Sequence, residues 1–221
     1  MSRRQMRLKT LEGYLQEVDV FDKPKFQLEQ YPTTPHIAAQ ILHDIHMKYD
    51  DIQDKCIADL GVGCGVLSIG CSMLGCGFVL GVDIDSAAIS RCQENLSQFE
   101  ITNIDLLQQD VTSLLCEGSH LQKAFDTVIM NPPFGTKNTQ GIDMIFLKTA
   151  LAMAHTSVYS LHKTSTRRHI IKQAGDWGAE TEVVAELRFD LANTMKSHKK
   201  KTMDIAVDFI RFTHKNQSAT S

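Results

Sequence analysis

From Cys56 to Val82 the chain carries a single charged side chain, Asp59. A stretch so apolar could be taken for a membrane span, but it holds seven glycines, at positions 61, 63, 65, 70, 75, 77 and 81. Each glycine inside a helix costs about 1 kcal/mol relative to alanine, so one continuous helix is excluded. Two buried strands, Cys56–Leu60 and Phe78–Val82, joined by a glycine turn and a short helix, Cys64–Leu74, account for the same residues. Strands apolar on both faces belong to parallel sheets covered by helices on each side. This segment alone directs the chain to an α/β fold without a membrane span.

The alternation continues downstream. Ile104–Gln108, Phe125–Met130 and Ser157–Leu161 read as strands, and Ser86–Phe99, Asp143–Ala154 and Thr166–Trp177 as helices, with Ser86 and Asp143 as expected N-caps. Strands alternating with helices imply βαβ units. Glu182–Phe189 and Met203–Phe212 have no helix between them and should pair as an antiparallel hairpin. The expected fold is a doubly wound, mostly parallel α/β sheet of seven strands with that hairpin at its C-terminal end. Upstream, residues 7–20 and 36–49 have helical spacing, with Thr34 as an N-cap before Pro35. Pro32 and Pro35 forbid helix between them. The chain thus divides into an N-terminal segment, 1–50, a main domain, 51–212, and a polar tail, 213–221, expected to be disordered.

Composition narrows the function. At 221 residues and 43% apolar, the chain can bury the core of one domain. The net charge of −3 means that any nucleic acid must be held by local patches or with a partner. The cysteines at 56, 64, 71, 76, 92 and 116 form no C-x-x-C pair. Reduced, buried thiols and no metal site are expected. The basic start, Arg3 to Lys9, is followed by no apolar stretch, so no secretory signal is expected.

Ligands in such sheets bind beyond the carboxyl ends of the strands. There the first strand ends in Asp59-Leu60-Gly61-Val62-Gly63-Cys64-Gly65. Its glycines permit a sharp turn and close approach of a ligand to the backbone. Asp83 ends the next strand, placed to accept two hydrogen bonds from a ribose diol. Asp110 follows the third strand and could accept from the amine of an adenine. These features specify an adenosine-like cofactor, and a nicotinamide dinucleotide fits them nearly as well. Both aspartates could instead cap neighbouring turns.

Asn131-Pro132-Pro133-Phe134, directly after the fourth strand, separates the alternatives. The prolines remove two backbone donors, fix two φ angles and push Asn131 out of the helical region. A planar aromatic amine is a poor nucleophile because its lone pair is conjugated into the ring. Acceptors for its two hydrogens, the Asn131 side chain and the Pro132 carbonyl, favour a nitrogen with an available lone pair. Phe134 offers a face for stacking a base, worth about 1–3 kcal/mol. The plain alternative is a tight turn with Phe134 in the core.

Together, the glycine loop and Asn131–Phe134 resemble the class I S-adenosylmethionine-dependent amino-methyltransferases, whose sheet is Rossmann-like. Four stretches are similar to the methyltransferase-like protein 5 family, eukaryotic enzymes that form N6-methyladenosine in small-subunit (18S) ribosomal RNA. They are Leu28–Thr33, Val128–Asn138, Ala154–His162 and His198–Lys201. The resemblance implies S-adenosylmethionine as cofactor. Gln30 and Thr33 would belong to a segment closing over it, and Gly61, Cys64 and Val66 would line its methionine end. Asp83 would hold the ribose, Asp110 and Val111 the adenine, and Asn131, Pro132, Pro133 and Phe134 the target base. Val62 departs from the family's usual cysteine, and Cys116–Gln122 is longer than usual.

Two basic clusters could meet RNA: Lys196, His198, Lys199, Lys200 and Lys201, and His162, Lys163, Arg167, Arg168 and His169. The resemblance further implies a heterodimer with a small zinc-binding activator subunit, and a place in the nucleus (nucleolus) and cytoplasm. In a strand order 3-2-1-4-5-7-6, Ile104–Gln108 is an edge unguarded by proline or lysine, open to strand addition. Methylation of a protein glutamine uses a similar motif, but usually with tyrosine fourth and an extra N-terminal domain. A DNA adenine methyltransferase would usually carry a target-recognition region. A non-catalytic scaffold would leave the intact motif unused, and a dehydrogenase gives it no role.

Overall fold

The computed structural model describes residues 6–115, 119–135, 139–191 and 203–215. Among these residues, seven strands form one sheet in the order β3-β2-β1-β4-β5-β7-β6. They are β1 Cys56–Leu60, β2 Phe78–Asp83, β3 Ile104–Gln108, β4 Phe125–Met130, β5 Ala154–Lys163, β6 Ala179–Leu191 and β7 Met203–His214. The first five strands pair in parallel, and β7 pairs antiparallel with both β5 and β6. The α/β class, the strand order and the hairpin agree with the sequence reading.

Among the described residues, six α-helices cover the sheet: α1 Leu8–Leu15, α2 Pro35–Asp44, α3 Val66–Met73, α4 Ser86–Gln98, α5 Ile142–Met153 and α6 Arg167–Asp176. The side chains separate into two cores. Leu11 and Leu15 of α1, Leu42 of α2, Ile69 of α3 and Cys92 and Leu96 of α4 pack on one face of the sheet. Leu147 and Ala150 of α5 and Ile170 and Ala174 of α6 pack on the other, against Val128, Val158 and Ile210. The segment before residue 51 thus shares a core with Ile57 of β1.

β1, β3 and β4 have the expected bounds, whereas β5 and β6 run longer than expected and β7 continues to His214, into the stretch expected to be disordered. The N-terminal helix ends and some caps also differ. The first helix stops at Leu15, well short of the expected Val20. Past Asp44, the second helix loosens into a π-turn, Ile45–Tyr49. Asp85, not Ser86, caps α4, its carboxylate accepting from Ala87 N at 3.0 Å. Gly141, at φ +84°, precedes α5, which leaves Asp143 in the first turn rather than at the cap. Thr34 does cap α2, accepting from Ile37 N at 3.4 Å. Among the described residues no helix is long and apolar enough to cross a membrane, and no side-chain cluster is suited to a metal ion.

Candidate active site

β1 ends at a loop that is pinned to β2, because Gly61 N and Val62 N both donate to Val82 O, at 2.8 and 2.9 Å. Gly61, Gly63 and Gly65 then adopt φ of +78°, +55° and +90°, the left-handed region where a side chain is strained. At Gly65 a β-carbon would also lie 2.6 Å from Cys92 Sγ. The loop borders a cavity of about 260 Å³ at the carboxyl ends of the strands.

Every residue that the resemblance put on the cofactor lines this cavity: Gln30, Thr33, Gly61, Cys64, Val66, Asp83, Asp110 and Val111. Asn131 and Pro133 line it too. Asp83 stands at the end of β2 and accepts from Gly63 N and Asp85 N, each at 2.9 Å. Burial raises its pKa. A carboxylate has about four lone-pair sites, so acceptor capacity remains for a diol. Asp110 spends one oxygen on Thr112, whose N and Oγ1 both lie at 2.8 Å, and thereby caps the turn Val111–Ser113. Cys64 is buried, and burial pushes its thiol up to about 12, so it is neutral.

Two features were not singled out from sequence. The first is Asp59, whose Oδ2 accepts from Ser68 Oγ at 2.6 Å while Oδ1 has no partner among the described residues. Asp59 is 1% exposed and lines the cavity. Burial pushes its carboxyl up to about 7, against the Ser68 hydrogen bond. An orphaned acceptor in the wall suits a cationic or donor-bearing ligand. A lone acid in an otherwise uncharged run was the available signal.

Asp59 carries a pH prediction. Between about pH 4 and pH 7 the folded protein holds a proton that the unfolded chain releases, so stability falls as pH rises through that window. Asp59→Asn cannot ionise. Without cofactor it should be more stable than the parent, by roughly 2–4 kcal/mol. Urea titrations should show the gap opening above about pH 4 and levelling off above pH 7. A gap that does not change with pH would contradict the assignment.

The second feature is a clasp. Lys25 Nζ and Gln30 Nε2 donate to the two oxygens of Asp85, at 2.6 and 2.7 Å, and Lys25 N donates to Gln30 Oε1 at 2.8 Å. Burial alone would raise the Asp85 carboxyl, but these partners hold it below the usual range. The clasp ties residues 25–33 across the cavity, and Thr139 Oγ1 adds a bond to Glu29 Oε1 at 3.1 Å. Gln30 therefore reaches the cavity wall with its amide committed to Asp85.

At the end of β4, Asn131 Nδ2 donates to Thr33 Oγ1 at 3.0 Å. Pro132 is buried, and Pro133 faces the cavity. Phe134 stands beside the cavity rather than in its wall. Its ring meets Phe189 edge-on, with centroids 6.4 Å apart, and Lys163 Nζ lies 5.9 Å from its centroid. The second basic cluster is partly dismantled. His162 is fully buried, with Nε2 at 2.9 Å from Ser160 Oγ and Nδ1 at 3.5 Å from Asp143 Oδ2. Arg167 is bound to Asp208 at 2.6 and 2.7 Å and to Glu186 at 2.8 Å. Arg168 and His169 remain exposed. Lys196, His198, Lys199, Lys200 and Lys201 lie outside the described residues.

A parallel sheet with its last strand inserted antiparallel beside β5, and a glycine loop facing an Asn-Pro-Pro-Phe corner, is the arrangement of a methyltransferase domain. Residues 36–158 match the methyltransferase small domain family. The rRNA N(6)-adenosine-methyltransferase METTL5 of Danio rerio is 60% identical over 94% of this chain and 99% of its own length. The Drosophila melanogaster protein of the same name is 50% identical over 94% and 96%. The chain belongs to this METTL5 family of rRNA N(6)-adenosine methyltransferases. The crystal structure of PH1948 from Pyrococcus horikoshii is 33% identical, with a TM-score of 0.80 over 94% of this chain and 99% of that one.

Proposed function

We propose that the protein methylates N6 of an adenosine in small-subunit (18S) ribosomal RNA, with S-adenosylmethionine as the methyl donor. The observation that carries the reading is that Asn131 and Pro133 share one cavity wall with the Gly61–Cys64 loop and Asp83. The names of relatives at 60% and 50% identity support adenosine in rRNA as the target. The small subunit is our own extension.

The residues present fit the cofactor. Asp83 has free lone pairs for the ribose hydroxyls, the glycine loop allows close approach, and Asp59 presents an unpaired oxygen. When bound, the cofactor supplies an electrophilic methyl group on a sulfonium. Asn131 Oδ1 and the Pro132 carbonyl would accept hydrogen bonds from the two N–H groups of the target amine and favour a nitrogen with an available lone pair. As that nitrogen takes the methyl group it gives up one proton to solvent. The prolines hold both acceptors at fixed backbone angles, so orientation supplies much of the rate. Phe134, steadied by Phe189, offers its ring to the base. Transfer of a labelled methyl group to total RNA, followed by nucleoside analysis, tests the reading. Label in N6-methyladenosine from small-subunit RNA supports it, whereas label in protein glutamine or DNA overturns it.

A small zinc-binding activator subunit completes the proposal, adding a strand beside β3 as a heterodimer in the nucleus (nucleolus) and cytoplasm. β3 is an edge of the sheet, and Leu107 and Ile84 near it are exposed apolar side chains. Asn103 O accepts from Val79 N, and Gln109 N donates to Asp83 O. The odd-numbered residues therefore turn their amide groups toward β2 and the even-numbered ones outward. Leu106 packs against the core, its Cδ2 2.9 Å from where a Gly81 β-carbon would stand. Proline belongs instead at Gln108, whose side chain is exposed. Gln108→Pro should weaken capture of the activator while S-adenosylhomocysteine affinity stays within a few-fold. Full-strength capture by a folded variant would place the partner elsewhere.

A further inference from the structure

We infer that Thr33 is a positioning residue for Asn131, its hydroxyl anchoring the Asn131 amide by the NH₂ end so that Oδ1 is left for the target amine. The inference rests on the role of Asn131 proposed above. The resemblance had placed Thr33 among the cofactor contacts. The structure places Thr33 in the cavity wall and also puts its hydroxyl on the amide: Asn131 Nδ2 donates to Thr33 Oγ1 at 3.0 Å, and Thr33 is 5% exposed.

A primary amide has two ends of nearly equal size and opposite chemistry, an oxygen that accepts and an NH₂ that donates. Only the oxygen can accept a hydrogen bond from the target amine. An inverted amide would set its own N–H groups against those of the base. Thr33 engages the NH₂ end and leaves Oδ1 for the target. Among the described residues no other side chain hydrogen bonds to this amide.

The hydroxyl is delivered by a stiff segment. Tyr31 and Thr34 each precede a proline and are confined to extended backbone. Upstream, Gln30 is tied to Asp85 at 2.7 Å. Downstream, Thr34 caps α2. Gln30, Pro32 and Thr33 also line the cavity. One wall therefore serves both the cofactor space and the orientation of Asn131.

The test compares Thr33→Val, which removes the hydroxyl at nearly constant shape, with Thr33→Ser, which keeps it. At saturating cofactor, Thr33→Val should lower kcat for RNA methylation by about 10- to 100-fold. S-adenosylhomocysteine affinity, measured by calorimetry, should stay within about threefold, and serine should restore kcat to within about threefold of the parent. Thr33→Ala carries the same expectation and decides the matter if the valine variant does not fold. A tenfold loss of affinity with unchanged kcat would leave Thr33 a cofactor contact alone and overturn the inference. Unchanged kcat without the hydroxyl, or a loss that serine does not rescue, also overturns the inference. If the role of Asn131 is itself wrong, Asn131→Ala will keep its activity; if only the Thr33 inference fails, Asn131→Ala will still be inactive.

Discussion

Asn131→Ala is expected to lower methyl transfer by at least about 10²- to 10³-fold, the usual effect of removing one preorganised polar group that acts on the reacting atoms. Cofactor affinity should remain within a few-fold. Asn131 follows β4, whose residues Thr127–Met130 pair in register with both β1 and β5, so the strand end holds its place without the side chain. Its described side-chain partner is Thr33, whose hydroxyl oxygen loses one donor that water in the cavity can replace. The loss should fall on kcat, because the amide acts on the amine and not on the sulfonium. Single-turnover transfer from labelled cofactor measures it beside calorimetry with S-adenosylhomocysteine. A collapse of cofactor binding would make Asn131 structural and refute the mechanism.

Asp83→Ala should weaken cofactor binding by about 10- to 150-fold, since hydrogen bonds to a charged group are worth roughly 1.5–3 kcal/mol. A second effect separates this variant from Asn131→Ala. Gly63 N and Asp85 N both lose their acceptor, and each buried unpaired donor costs about 1–3 kcal/mol. The protein without cofactor should therefore also melt earlier. The raised pKa of Asp83 adds a pH signature. Only the ionised carboxylate accepts from both ribose hydroxyls, so affinity should begin to fall on acidification at a higher pH than an ordinary aspartate would give. Unchanged affinity in the alanine variant would reduce Asp83 to a turn cap.

The sheet was legible because its signals are local. Strands β1, β3 and β4 begin and end where apolar runs meet glycine, polar residues or Asn131, and no tertiary contact was needed to see them. Helix ends were less legible. Asp85 and Ser86 are adjacent and equally able to cap, and Asp85 is fixed in place by Lys25 and Gln30, which lie 60 and 55 positions away in sequence. The clasp left no trace in periodicity for the same reason. The motifs led to the cavity, but a motif does not say how its last residue is held. Phe134 leans on Phe189, at the far end of the hairpin. The second basic cluster was misleading because a count of charges is blind to Asp208, which is fully buried and bound to Arg167.

The order of the last two strands sets a condition on synthesis. β6 joins the sheet through β7 alone, yet β7 follows β6 off the ribosome. Until β7 has been made and has docked on β5, β6 has no strand to pair with, and Phe189 cannot be brought against Phe134. A message that stops before codon 203 would still encode the glycine loop, both aspartates and the whole Asn-Pro-Pro-Phe corner. Its product would nonetheless lack the strand that assembles the aromatic side of the site. Damage late in the reading frame therefore reaches the site without touching the motif.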